Sequence, residues 1–153
     1  MNKSIKIISA LSAYAVAMAM LEAAVVVYLR ELYYPSGFFI QSAEDLAILP
    51  AHILSVELWR EAATIIMLAA ISFLSFNKIK ERFLAFIFTF SIWDLFYYFF
   101  LYLILRWPPA LATLDVYFLI PWPWVGPVWV PLILFGTGTI VSLWLMFKKV
   151  KNE

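Results

Sequence analysis

The chain has 153 residues, of which 65% are hydrophobic and 14% charged, against about 25% charged in ordinary soluble domains. At about 20 apolar residues per bilayer crossing, four crossings with short connections use nearly the whole length, leaving a single integral membrane domain and no room for a soluble one. A formal net charge of +1, with cations dispersed at the ends of apolar runs, offers nucleic acid no basic stripe. The absence of Cys removes disulfides, thiolate metal sites, Cys nucleophiles and Cys lipidation.

The expected fold is all-α: a bundle of four transmembrane helices at about 7–29, 52–76, 83–105 and 128–147. The first run enters through Lys3 and Lys6 and closes at Arg30 and Glu31. Its basic start and its Ala15-Val16-Ala17 and Ala17-Met18-Ala19 triplets have the look of a secretory signal, but the run continues to full spanning length, which favours an uncleaved helix. Pro35 and Gly37 then mark a turn, and Ser42 with Asp45 forms a capping-box pattern that predicts a short interfacial helix. Pro50 suits the first turn of the second span, and Lys78, Lys80 and Arg82 mark where that span leaves the membrane. The third span stops at Arg106-Trp107-Pro108-Pro109. Residues 110–126 are apolar but broken by Asp115, Pro121 and Pro123, and read as a re-entrant or interfacial segment between helices three and four.

Lys3, Lys6, Lys78, Lys80, Arg82, Lys148, Lys149 and Lys151 fall on one side of this scheme, leaving Arg30, Arg60 and Arg106 for the other half. By the positive-inside rule this is a cell-membrane protein with both termini cytoplasmic. Glu81 and Glu153 are the only acids on the inner side. Trp107, Trp122, Trp124 and Trp129 are expected to anchor the outer boundary, where indoles bury their rings and keep their N–H in the headgroups. A faint duplication relates the two helical hairpins, with Glu22 and Asp94 in loosely corresponding places.

Ionisable groups inside spans carry the functional argument, because each costs several kcal/mol, about +2.5 to +3.5 on insertion scales, unless it finds a partner. Glu22, Glu57, Arg60, Glu61 and Asp94 are such groups and are the candidate ion- or substrate-binding residues. A rise of about 1.5 Å per residue puts Glu22, Glu61 and Asp94 at comparable depths below the outer surface. Steps of about 100° put Glu57, Arg60, Glu61 and Thr64 on one face of helix two. Thr64, Tyr97, Tyr98 and Asp115 are secondary candidates that add hydroxyls and a further carboxylate. Ala15, Ala19 and Ala23 offer helix one a smooth face for close packing, while helix four carries no ionisable side chain and reads as a packing helix.

A lone His52 leaves haem and paired-His metal sites unsupported, and no glycine loop signals a nucleotide. A metal, if one binds, would take oxygens from Glu22, Glu57, Glu61 and Asp94, which suits a hard cation. Three readings stay open. The carboxylates form an outward-facing site for binding or moving a proton or cation; or they are internal pairings in a structural or accessory subunit of a membrane complex; or they serve a membrane-embedded metal-dependent or acid/base enzyme. Expected partners are the lipid bilayer and either a second copy or a larger membrane complex.

Residues 22–30, Glu57 with residues 60–64, Trp93-Asp94-Leu95-Phe96-Tyr97-Tyr98, Leu119-Ile120-Pro121 and Pro123-Trp124-Val125-Gly126-Pro127 together resemble a family of small bacterial and archaeal multi-pass integral membrane proteins. The resemblance runs over residues 22–131 and implies the membrane fold, with no known reaction, substrate or catalytic residue.

Overall fold

Four apolar runs, each interrupted only where prolines or polar clusters occur, set the architecture of the computed structural model, which describes residues 3–150. Helix α1 spans Lys3–Tyr33, α2 Ala51–Ser75, α3 Ile79–Leu105 and α4 Trp129–Val150. All four are long and apolar enough to cross a bilayer, so this is a multi-pass helical membrane protein. The helices outrun the expected boundaries at several ends: α1 continues to Tyr33 because nothing breaks it before Pro35, and α3 starts at Ile79 because Lys80, Glu81 and Arg82 are good helix formers. Lys151 and Glu153 lie outside the described residues, as do the side chains of Lys3 and Lys149.

Helix α3 is the hub on which α1, α2 and α4 all pack, whereas α1 and α2 touch little. Its partners explain why it is apolar all round. Ala15, Ala19 and Ala23 on α1 are fully buried and let the α1 and α3 backbones approach closely. On α2 the buried positions are Glu57, Glu61, Thr64, Leu68 and Ser72, a mostly polar stripe with helical spacing, while Val56, Trp59, Ile66 and Leu74 face outward. This inside-out polarity is what lipid as the surrounding solvent demands.

The core forms three layers along the bundle. One end holds Ile8, Leu11, Ala85, Phe88 and Met146. The middle holds Ala15, Met18, Ala19, Leu68 and Trp93, and the other end Ala23, Phe38, Tyr98, Leu101, Trp107 and Val128. Between the first two layers the buried hydroxyls of Ser72 and Thr89 sit 2.8 Å apart, and each also lies within hydrogen-bonding distance of a carbonyl on its own helix.

The segment between α3 and α4 is a two-stranded antiparallel hairpin, β1 (Leu114–Phe118) and β2 (Trp124–Pro127), running from Leu114 opposite Pro127 to Phe118 opposite Trp124. It is a small addition to the expected bundle of four apolar helices. Leu114, Val116, Tyr117 and Phe118 are strand-favouring side chains, and Pro121 and Pro123 in the connection exclude a helix. Val128 and Trp129 donate their N–H groups to the carbonyls of Thr113 and Leu111, so the hairpin runs straight into α4.

The stretch from α1 to α2 holds a single 3-10 helix, Ala43–Ile48, with the expected reciprocal cap. Ser42 Oγ accepts from Glu44 N–H, and Asp45 accepts from Ser42 N–H at 3.0 Å and Gln41 N–H at 2.7 Å. Those two donors hold the Asp45 carboxyl below the usual carboxylate range.

The tryptophans divide differently from the expected belt. Trp122 and Trp124 stack face to face and remain exposed, as does Trp129, but Trp107 is buried against Tyr98. Its ring is the surface on which an arginine from α1 lies, as described below.

Helices α3 and α4 meet closely at Gly138, where an added Cβ would stand 2.6 Å from Ser91 Oγ. Gly138→Ala is therefore expected to destabilise the bundle by about 1–3 kcal/mol through overpacking. The same change at Gly136, which has open space around it, should cost nothing measurable; denaturant titration of the two variants in detergent checks the contrast.

Candidate functional site

A partly open cavity of about 110 Å³ lies at the hairpin end of the bundle, walled by α1, α2, α3, the 34–49 stretch and β1. Glu22, Glu57, Arg60, Glu61 and Asp94 all line it, together with Tyr97, Tyr98 and Asp115; Thr64 stands just behind. Arg30 and Trp93 also line it, and neither was singled out from the sequence as a site residue.

The first polar group joins α1 to α2. Arg60 Nε and Nη2 donate to Glu57 Oε2 at 3.0 and 2.6 Å, one turn away on the same helix. Its Nη1 meets Glu22 Oε1 across the gap as an ion pair without hydrogen-bond alignment. Thr64 Oγ1 completes the bridge by donating to Glu22 Oε2 at 3.3 Å. Because α1 and α2 otherwise hardly touch, these charges are their main link on this side.

The second group fixes the hairpin to α1 and α3. Arg30 Nη2 donates to Asp115 Oδ1 at 3.1 Å, and Tyr98 Oη donates to Asp115 Oδ2 at 3.0 Å. The Arg30 guanidinium sits in the corner formed by the Phe38 and Trp107 rings, which meet edge-on at 71°, at 4.0 and 3.9 Å from their centroids. A guanidinium face is weakly hydrated and stacks well on aromatic rings, so this corner accommodates a buried cation that a lysine would not fill. Burial pushes the Asp115 carboxyl upward, against the downward pull of Arg30, the Tyr98 hydroxyl and the Val116 N–H.

The third group ties the hairpin to α2. Glu61 Oε2 accepts from Leu119 N–H at 2.7 Å and Oε1 from Ile120 N–H at 3.1 Å. These amides follow β1 and have left the strand ladder, so the carboxylate satisfies donors that the hairpin itself cannot. With Arg30 and Tyr98 on Asp115, the hairpin is pinned to three helices and covers the cavity.

Asp94 differs from all the others. It is 6% exposed, and its Oδ2 is buried with no hydrogen-bond partner. Trp93 Nε1 beside it is also buried without a partner.

Among the described residues no three Asp, Glu or His side chains gather closely enough to hold a metal ion. Glu22, Glu57, Glu61 and Asp94 thus line one cavity without forming a ligand set: two are turned to Arg60 and one to backbone amides. His52 is exposed at the start of α2, away from the cavity wall.

Arg30 could have been found from Asp115. A carboxylate in an apolar segment needs a cation, and of the three on that side Arg60 has nearer acids on its own helix, leaving Arg30 and Arg106. Nothing local in the sequence marks Phe38 and Trp107 as the two rings around it.

Arg30→Met strands Asp115 as an uncompensated buried charge and is expected to cost about 3–5 kcal/mol of stability. Arg30→Met combined with Asp115→Leu removes both charges and should recover most of that loss, which thermal unfolding of the single and double variants in detergent would reveal. No protein-family model, curated protein or solved structure matches the chain.

Proposed function

We propose that this multi-pass membrane protein binds a proton or a cation at Asp94, in a pocket that opens to the outer side of the membrane beneath the hairpin, and that movement of that ion is its activity. One observation carries the reading: in a cavity where Glu22, Glu57, Glu61 and Asp115 each have a donor, Asp94 Oδ2 is buried with none. An unpaired carboxylate at membrane depth needs a proton on it or a cation beside it. The lining supports a positive occupant as well, since the carboxylates outnumber Arg30 and Arg60. Resemblance to the small multi-pass membrane family agrees with the membrane setting and adds no substrate.

The pairings described above favour a structural role for most of the constellation. Glu57, Arg60 and Glu22 hold helices together, and Arg30, Asp115 and Glu61 hold the hairpin. The functional reading therefore narrows from the whole carboxylate group to Asp94 and the space in front of it.

Purified protein is expected to carry an occupant at Asp94. It would appear either as an infrared carbonyl band of a neutral carboxyl that disappears in Asp94→Asn, or as a stoichiometric cation lost in that variant. Finding neither would remove the reading. In proteoliposomes, pH-linked or cation-linked flux should fall by about tenfold or more in Asp94→Asn; flux that is the same in both proteins would leave binding without movement.

The outward orientation rests on Lys6, Lys78, Lys80, Arg82 and Lys148 gathering at the end of the bundle away from the hairpin. The chain has no Cys, so single introduced thiols report cleanly. A membrane-impermeant maleimide added to intact cells should label Ser36→Cys beside the hairpin and spare Asn77→Cys in the α2–α3 turn. The opposite labelling pattern would invert the topology.

A further inference from the structure

The chemistry around Asp94 narrows what kind of cation fits. A hard metal ion takes six or more oxygen ligands, yet the carboxylates here are already engaged and no three converge among the described residues. What remains is the carboxylate of Asp94, a residue that is more than nine-tenths buried yet lines the cavity, with its Oδ2 unpartnered. A single anionic acceptor suits an N–H donor far better than it suits a metal's coordination shell.

The walls add a second requirement. Trp93, Tyr97 and Phe118 belong to one apolar cluster beside Asp94, and Tyr34, Phe38 and Leu54 also line the cavity. Aromatic faces attract a cation electrostatically and cover an apolar body at the same time. The cavity, about 110 Å³ and partly open, exceeds what a bare ion would fill. The unpaired N–H edges of Arg30 and Arg60 do not argue for an anion, because each guanidinium already faces a carboxylate and the lining as a whole carries more acids than bases.

We infer that the pocket takes a small organic ammonium ion, its N–H donors on the Asp94 carboxylate and its apolar body against Tyr97 and Phe118. The inference rests on Asp94 being the site's free anion, as proposed above, and adds the class of cation.

Calorimetric titration of the full chain in detergent tests it with benzylammonium, its neutral counterpart benzyl alcohol, and sodium chloride. Benzylammonium is expected to bind saturably, one per chain, at least about tenfold more tightly than benzyl alcohol, with no displacement by a hundredfold excess of sodium. Asp94→Asn should weaken it about tenfold or more, and Tyr97→Leu about threefold to tenfold, while Tyr97→Phe keeps it. The comparison of charged and neutral probes on the wild-type protein stands even if a variant fails to fold. Equal affinity for the alcohol, displacement by sodium, or no saturable benzylammonium binding overturns the ammonium class, and leaves the broader proposal intact if Asp94 still shows a proton or another cation. Wild-type benzylammonium affinity in Asp94→Asn overturns both.

Discussion

A bilayer interior offers no water to a charged side chain, so each charge there must find its partner within the protein or lie against a bound group. The hairpin end of this bundle is organised by that requirement. Arg60 joins two acids from two helices, Arg30 reaches up to Asp115, and Glu61 collects two stray amides. Without Asp115 the corner between Phe38 and Trp107 would hold an unpaired cation. Without Arg30 the hairpin would bring an unpaired anion into the core. The fold and the polar network are therefore one structure, and removing a single member leaves its partner exposed to the full cost of burial.

The sequence made the four spans legible because hydropathy and length suffice for a helix in lipid, where every backbone group must bond within its own segment. Ends were less legible, since Lys80, Glu81 and Arg82 favour helix as readily as headgroup contact and α3 simply begins with them. The 110–126 stretch is legible as a segment too interrupted to cross, broken by Asp115, Pro121 and Pro123, but not as a hairpin. Its strand character depends on pairing across the connection, such as Leu114 with Pro127, which no local pattern reports. Trp107 was misplaced for a related reason: an indole near a helix end usually seeks the headgroups, and only the approach of Arg30 makes an interior position better.

For the site, depth matching brought Glu22, Glu61 and Asp94 to one region, and all three line the same cavity. Sequence reasoning could not divide the acids by role, because whether a carboxylate is satisfied depends on which side chain or amide the third dimension brings to it. Glu61 is the clearest case. It is a turn from Glu57 in sequence, yet its partners are amides from the far side of α3. The face of α2 carrying Glu57, Arg60, Glu61 and Thr64 was readable as inward, its division into ionic bridge and hairpin tether was not, and its extension to Ser72 came only with the structure.

The hydroxyl contact between Ser72 and Thr89 bears on what the molecule must do if an ion is to pass. Both oxygens are within bonding distance of each other and of their own helices' carbonyls, and Phe88 and Leu11 pack in the layer beyond. The cavity under the hairpin stops short of this contact, whose two residues do not line it. Any passage onward through the bundle would have to part Ser72 on α2 from Thr89 on α3, the helix that also carries Asp94.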